Sequence, residues 1–335
     1  METSARRDVL NPSARETVPI VVVVYHREEQ TRQMFAQLAK VTQNYSLIIV
    51  NNGFDDPDYL QSLEPEHYVE NAQNNGAIAS INQGLELTDA EYVAVLHNDL
   101  LIYDEGWLDH VVRFIDRRQD VGLVGFAGRH GIDENGTPMN LSTIVAQRGY
   151  PDFFKPSWRF TEVATIDGLG WVMRRSSFRL EEDFGYMHFY DLDLSLQYIQ
   201  AGAKVYTMAV DLYHMAADFD RSSRSIIDYL EKVGGDDDAY YDEVREKFRA
   251  KWAHMLPIWR GGRDEAYMQQ VMVEYERLGA EFRKLTAEMQ KVEAYVRRLE
   301  VEWQQKCEVI VALEAHCAAL SEELEQSKNR RWKGH

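Results

Sequence analysis

From Val271 to Leu324 the sequence carries a 4–3 alternation of apolar residues in which Lys306 is the only charged position, and that stripe constrains how the rest of the chain is organised. Val271, Leu278, Leu285, Val292, Leu299, Lys306, Leu313 and Leu320 recur every seventh residue, and Tyr275, Phe282, Met289, Val296, Trp303, Ile310, Cys317 and Leu324 follow each of them by four. Such spacing is the seam of a left-handed coiled coil. The helix it predicts is on the order of 90 Å long. No monomeric globule of this size buries such a stripe along its whole length, and a lone surface helix would leave a continuous apolar strip in water. Folding back is disfavoured, because only Gly279 interrupts good helix formers. The sequence therefore predicts a coiled coil over 263–326 and a homo-oligomer formed through residues 264–326. Bulky Tyr, Phe and Trp on the seam leave the number of strands open, with a dimer as the default. Cys307 and Cys317 would lie roughly 15 Å apart on that helix, too far to bridge, so reduced thiols are expected.

N-terminal to the breaks at Leu256-Pro257 and Gly261-Gly262 the pattern is of another kind. Pro19 to Tyr25 is a β-branched run suited to a buried parallel strand. A helix with Met34, Phe35 and Leu38 on one face follows. A second strand over Ser46 to Val50 ends in Asn51-Asn52-Gly53, and Tyr68-Val69 is a weak third. A helix is expected from about Ala77 to Leu87 and a fourth strand over Tyr92 to Leu96. This rhythm predicts an α/β, doubly wound, mostly parallel sheet. Ligands in such sheets bind beyond the carboxyl ends of the strands, so the loops after Val24, Val50 and Leu96 should share one crevice.

Further along, Gly128 to Phe160 reads as an excursion from the sheet. A strand is expected over Gly168 to Met173, a short helix near Ser176, a helix from Asp191 to Gly202 and a strand over Lys204 to Met208. Ile226 to Met255 reads as helix in two pieces, broken at Gly234-Gly235. The expected division is a flexible tail over 1–17, a globular domain over 18–215, a helical extension over 216–262, the coiled coil, and a basic tail over 327–335.

Composition narrows the function. With 45% hydrophobic and 11% aromatic residues the chain is a folded protein. A formal net charge of −18 argues against a general nucleic-acid binder. The first residues contain three Arg and no apolar run, which is unlike a secretory signal. With no segment long enough to span a bilayer, a cytoplasmic protein is expected. The tail from Lys328 to His335 reads as a solvated end.

Four short segments carry candidate chemistry. Tyr25-His26-Arg27-Glu28 after the first strand lacks the glycines of a dinucleotide or phosphate loop. With Asn51-Asn52-Gly53-Phe54-Asp55-Asp56 it offers hydrogen-bonding groups for a base and ribose, although Asn and Asp at such turns also serve local backbone bonding. Asp99 in Leu96-His97-Asn98-Asp99 can hold a hard divalent cation or simply close a turn. In Phe189-Tyr190-Asp191-Leu192-Asp193, one carboxylate is a candidate general base and either can cap a helix. His214, after the strand at 204–208, is a candidate metal ligand or an ordinary histidine.

Taken in order, these segments resemble the family 2 glycosyltransferases of the GT-A fold across about the first 215 residues. The first strand with Tyr25, His26 and Arg27 looks like that family's first nucleotide loop, and Asn51-Asn52-Gly53-Phe54-Asp55-Asp56 like its Asp-Asn-Gly-Ser-x-Asp turn. Asn74-Asn75-Gly76 through Asn82-Gln83-Gly84 is similar to its Asn-x-Gly…Asn-x-Gly helix, the most specific of the matches. His97-Asn98-Asp99 falls where the metal-binding Asp-x-Asp lies, with His97 in place of the first Asp. Asp167-Gly168-Leu169-Gly170-Trp171 with Arg174-Arg175 resembles the strand beneath the sugar. Tyr190-Asp191-Leu192-Asp193-Leu194 looks like the segment that supplies the base, and His214 matches the late metal-ligand histidine.

The resemblance implies an inverting transfer from a nucleotide-diphosphate sugar, a UDP-sugar by default, to an acceptor hydroxyl. Asp191 would be the general base, and Asp99 and His214 would hold Mn2+ or Mg2+. Tyr25, His26, Arg27, Asn51, Asn52, Asn74, Gly76, Asn82, His97, Asn98 and Gly168 would line the donor site. Trp171 and the 128–160 loop are candidates for the acceptor side, with core packing the stronger role for Trp171. A nucleotidyltransferase or a dinucleotide dehydrogenase would need the glycine-rich loop that is missing after the first strand. The rival from another class is a non-catalytic nucleotide-sugar-binding head on a coiled-coil scaffold.

Overall fold

The structure is a computed structural model that describes residues 17–143, 146–147, 160–215 and 224–261, and helical residues at 277, 284–292, 295–299, 303–307, 310–311, 313 and 319–322. All but Thr17 of the expected 1–17 tail, the expected 327–335 tail and most of the second half of the 128–160 loop lie outside the described residues. The chain divides into two compact units, Met1–Gly262 and Arg263–His335.

In the first unit, the opening run of valines is β1 (Val18–Val24), buried on both faces. Ile20, Val22 and Val24 enter one core and Val21 the other, the alternation a covered strand demands. Helix α1 (Glu28–Val41) returns the chain to β2 (Tyr45–Asn51), and α2 (Pro57–Ser62) leads to β3 (His67–Glu70). Next come α3 (Gly76–Glu86), β4 (Tyr92–His97), β5 (Leu100–Ile102), α4 (Trp107–Arg117) and β6 (Val121–Gly125). Four short strands follow, β7 (Gly128–Ile132), β8 (Pro138–Thr143), β9 (Ala146–Gln147) and β10 (Phe160–Val163), then β11 (Thr165–Ile166) and β12 (Gly170–Arg174). Helix α5 (Tyr190–Gln200), β13 (Lys204–Met208), β14 (Asp211–His214), α6 (Arg224–Lys232), α7 (Asp237–Trp252) and β15 (Ile258–Trp259) complete the unit.

The central sheet has eight strands in the order β10-β13-β6-β12-β4-β1-β2-β3. Its β4-β1-β2-β3 half is parallel, as expected, and β12 runs antiparallel between β4 and β6, which makes the sheet mixed. The 128–160 excursion supplies β7 and β8 to a small sheet with β11 and β15, and β9 to a strand trio with β5 and β14. In that trio β14 is antiparallel to β5 with His214 opposite Leu100, so the late histidine lies alongside the turn after β4.

Several boundaries differ from the sequence reading. The short helix expected near Ser176 does not form: Ser176 Oγ accepts from the Phe178 amide at 3.2 Å, a local turn that competes with helix. The strand expected from Gly168 begins at Gly170, because the Leu169 amide bonds Asp167 Oδ1 at 3.3 Å and closes a turn first. The break between α6 and α7 falls at Gly234 and Gly235, with φ of 83° and 86°. The described residues of the second unit from 277 to 322 are all helical, and their large apolar side chains, from Leu285 to Leu320, are 44–70% exposed.

Candidate active site

The turns at the carboxyl ends of β1, β2 and β4 meet at one crevice of about 430 Å3. Tyr25, Arg27, Asn52, Asn74, Gly76, His97, Asn98 and Asp99 line it. Asn52 is the organiser of the β2 side. Its amide donates to Asn74 Oδ1 at 2.6 Å, while its own oxygen accepts from Asn71 Nδ2 at 3.1 Å and the Asn75 amide at 3.0 Å. Asn74 Oδ1 also accepts the Gly76 amide at 2.8 Å. Gly76 has φ 83°, and a Cβ there would meet the Tyr186 backbone at 2.8 Å, so the start of α3 requires glycine.

Four expected donor-site residues, Asn51, Asn82, His26 and Gly168, do not line this crevice. Asn51 is 3% exposed, and its side chain closes its own turn through the Gly53 and Phe54 amides, at 3.0 and 2.7 Å, and through Tyr68 Oη at 3.1 Å. Asn82 tethers the chain before η1 (Glu182–Phe184), donating to Leu180 O at 2.9 Å and accepting from the Leu180 amide at 3.0 Å. His26 turns to Asp228 on α6, 3.2 Å away. Trp171 is wholly buried in the core, and Arg174 and Arg175 bond Ile115 O and Leu85 O.

At the mouth of β4, His97, Asp99 and His214 form a cluster whose candidate ligand atoms all lie within 4.8 Å of one another. Asp99 is 6% exposed. Its Oδ2 accepts from Arg27 Nη1 at 2.7 Å. Oδ1 is buried and takes no hydrogen bond of proper geometry. It faces His214 Nε2 at 3.2 Å and His97 Nδ1 at 3.9 Å. Burial works to raise the Asp99 pKa, but contact with His214 and the charges of His97, His214 and Arg27 outweigh it and hold the carboxyl at about 2. Burial pushes the His97 imidazole downward, against the pull of Asp99, favouring the neutral ring a metal needs. An anionic oxygen with one side unsatisfied, flanked by two imidazole nitrogens, fits a divalent cation, and the set is of the kind Mn2+ accepts. His97 thus occupies the place of the missing carboxylate as a third candidate ligand.

A second cavity of about 250 Å3 adjoins the crevice, lined by Asp191, Asp167, Gly168, Arg129 and Tyr241. His97 and His188 line both spaces. The Tyr190 hydroxyl lies 3.3 Å from His97 Nε2 and bonds Gly168 O at 3.4 Å, and a Cβ on Gly168 would strike that hydroxyl at 2.2 Å. Gly168 therefore lines the second cavity rather than the larger crevice. Desolvation, reinforced by the charge of Asp167, raises the Asp191 carboxyl to about 7, against the nearby amides of Leu192, Asp191 and Gly168. A carboxyl poised near neutrality in a cleft has the property a general base needs.

Asp193 has a different job. It is fully buried, accepts from Trp252 Nε1 at 2.8 Å and Gln197 Nε2 at 2.7 Å, and pairs with Lys251 Nζ at 2.8 Å, pinning α7 to α5. Neither acid occupies the cap position of α5, although Asp191 Oδ1 accepts from the Leu192 amide at 3.0 Å in the first turn. The cap position is Phe189, in the left-handed region at φ 58°, next to His188 at φ 77°.

The crevice also has a wall that the motifs did not reveal. Tyr229 of α6 and Asp237 of α7 line it, bonded to each other and to His188 Nε2, which stands 3.0 Å from Tyr229 Oη and 3.2 Å from Asp237 Oδ1. Asp228 bonds the Tyr25 hydroxyl at 3.3 Å. These residues lie in helices whose patterns look like ordinary amphipathic surface, so no local signal marks them. Among the described residues, no helix is long and apolar enough to cross a membrane.

Similar folds occur in GalNAc-T7 solved with UDP, GalNAc and Mn2+ (13% identity, TM-score 0.48, 72% of this chain and 56% of that one). They occur too in residues 1–349 of TarS from S. aureus (13%, 0.44, 71% and 72%) and in the mannosyltransferase PcManGT from Pyrobaculum calidifontis with GDP-Man and Mn2+ (14%, 0.45, 73% and 72%). The chain thus spans little more than half the length of the first of these. No curated protein matches the sequence. Residues 20–180, just under half of the chain, match the family model described as glycosyl transferase family 2, and that stretch is thereby similar to the glycosyltransferases.

Proposed function

We propose that the head transfers a sugar, with inversion, from a nucleotide-diphosphate sugar to an acceptor hydroxyl, with Asp191 as general base. The reading rests on one observation: His97 lines both the larger crevice and the smaller cavity, so the Asp99 cluster and the poised Asp191 carboxyl share a wall. Asn52, Asn74 and the Tyr25–Arg27 turn would hold the nucleotide. Asp99 and His214, joined by His97, would hold Mn2+ or Mg2+, and a bound cation there would offset charge on the leaving diphosphate. The acceptor oxygen attacks the anomeric carbon from the face opposite the diphosphate, the bond from that carbon to the phosphate oxygen breaks, and the hydroxyl proton passes to Asp191. A UDP-sugar is the first donor to test.

The domain limits expected from the sequence agree with this reading after one change: the 216–262 extension, whose α6 and α7 wall the crevice, belongs to the catalytic head. The segment 264–326 acts as an association arm.

Thermal-shift screening against a panel of nucleotide sugars, with and without Mn2+, tests donor binding. Release of free nucleotide by the stabilising donor then separates an enzyme from a binding head. A donor that stabilises the wild type without ever being cleaved, with water or any hydroxyl acceptor, would favour the scaffold reading.

A further inference from the structure

The apolar stripe of the second unit needs a covering partner, and the charges beside it say what kind. Among its described seam positions, Leu285, Met289, Val292, Val296, Leu299 and Trp303 are 44–70% exposed. Lys306 sits in the same series. In a heptad lettered a to g, Met289, Val296 and Trp303 are a positions and Leu285, Val292 and Leu299 are d positions, which fixes every other letter.

The e and g positions flank the seam and choose the partner through charge. In this chain the g flank carries Glu274, Glu281, Glu288, Glu302 and Glu323, and the e flank carries Glu293, Glu300 and Glu314. From 272 to 323 no e or g position holds Lys or Arg. The basic residues fall instead on b and c, as Arg283, Lys284, Lys291, Arg297 and Arg298 do, facing away from a partner. Lys291 meets Glu288 at 2.7 Å along the same helix, an exposed pair of little net strength.

A second copy of the chain is a poor match for this surface. In a parallel, in-register pair Lys306 would face Lys306 across the seam, and Glu288 would face Glu293 on both sides. In an antiparallel pair the e flank meets e and the g flank meets g, acid against acid. Neither arrangement contains one attractive flank pair, and the buried lysine is an unfavourable layer. We infer that the C-terminal helix takes up a different helix, one with an apolar a/d seam and Lys or Arg along its e and g flanks. On this reading such a helix, rather than the second copy expected from the apolar pattern alone, covers the seam. This inference does not depend on the sugar-transfer reading of the head.

The test uses the full chain and two synthetic helices of about six heptads with the same Leu and Ile seam, one with Lys at every e and g position and one with Glu. Sedimentation velocity at micromolar concentration should show a monomer. The Lys-flanked helix should bind at least about tenfold more tightly than the Glu-flanked one at low salt, with the preference shrinking near 1 M salt. The fourfold variant Glu288→Lys, Glu293→Lys, Glu300→Lys, Glu302→Lys should reverse the preference. Its substitutions lie in the second unit, so the thermal midpoint of the head stays unchanged and reports intact folding. The inference is overturned if the chain sediments as a stable oligomer that admits neither helix, which would return the seam to a second copy. Equal binding of both helices, or of neither to a monomeric chain, overturns it as well.

Discussion

The two units handle apolar surface in opposite ways. Among the described residues of the head, the valines of β1 and the helices on either side leave almost no large apolar side chain in water, and the conspicuous groups are buried polar ones, Asp99, Asp193 and the asparagines after β2. In the C-terminal unit the described apolar residues stand 44–70% exposed. A finished interior can hold carboxylates in fixed geometry and shift their protonation, which is what chemistry needs. An unfinished apolar face does no chemistry, but its flanks can select a partner.

That contrast can be broken or sharpened in four ways. The largest effect is expected at Asp191: Asp191→Asn should lower turnover by about 10² to 10⁴ while donor binding persists, measured by nucleotide release beside thermal shift. Native-rate transfer by this variant would remove Asp191 from the role of base. Asp193→Ala, two residues away, should instead cost stability, about 3 kcal/mol, since it strips Trp252 and Lys251 of their buried partner. Chemical denaturation would read that loss, and an unchanged midpoint would contradict the pinning of α7.

The third concerns pH. With a folded pKa of about 7 against 3.8 for the free carboxyl, Asp191 holds its proton in the folded state after the unfolded chain has lost it. Head stability should therefore fall as pH rises from about 4 to about 7, by up to about 1.4 kcal/mol per unit from this residue, and level off above. Turnover should rise over the upper part of the same window, as the base ionises. Asp191→Asn should flatten the stability slope. The smallest effect is expected from ending the chain at Gly262: the thermal midpoint and donor cleavage should barely move, while helix uptake is abolished.

Much of this architecture was legible because it is periodic or punctuated. The β1, β2, β4 and β13 runs are apolar and β-branched, and the structure places strands on them to within a residue or two. The Asn74–Gly84 spacing pointed to the start of α3 for a reason now visible, the φ 83° glycine under Tyr186. Helix α4 and strand β6 went unread, though Trp107, Leu108, Val111, Val112 and Ile115 form a clear apolar face. At the site, the Asp99–His214 pairing depends on β14 returning beside β5, and no local pattern in the 211–215 segment states it. Asn51 stands in the turn and outside the crevice lining, because a motif records which residue occurs and not where its hydrogen bonds are spent. Asp228, Tyr229 and Asp237 were invisible for the converse reason, lying far along the chain in helices of unremarkable pattern.

The bond between Asp193 and Trp252 has an architectural consequence. It fastens the last helix of the head to the helix whose first turn carries Asp191, so Asp237 and Tyr241, carried on that last helix, take their positions from α5. A chimera built by transplanting only 20–180 into another scaffold would inherit a floor without a roof. Any exchange intended to carry specificity along should extend through Trp252.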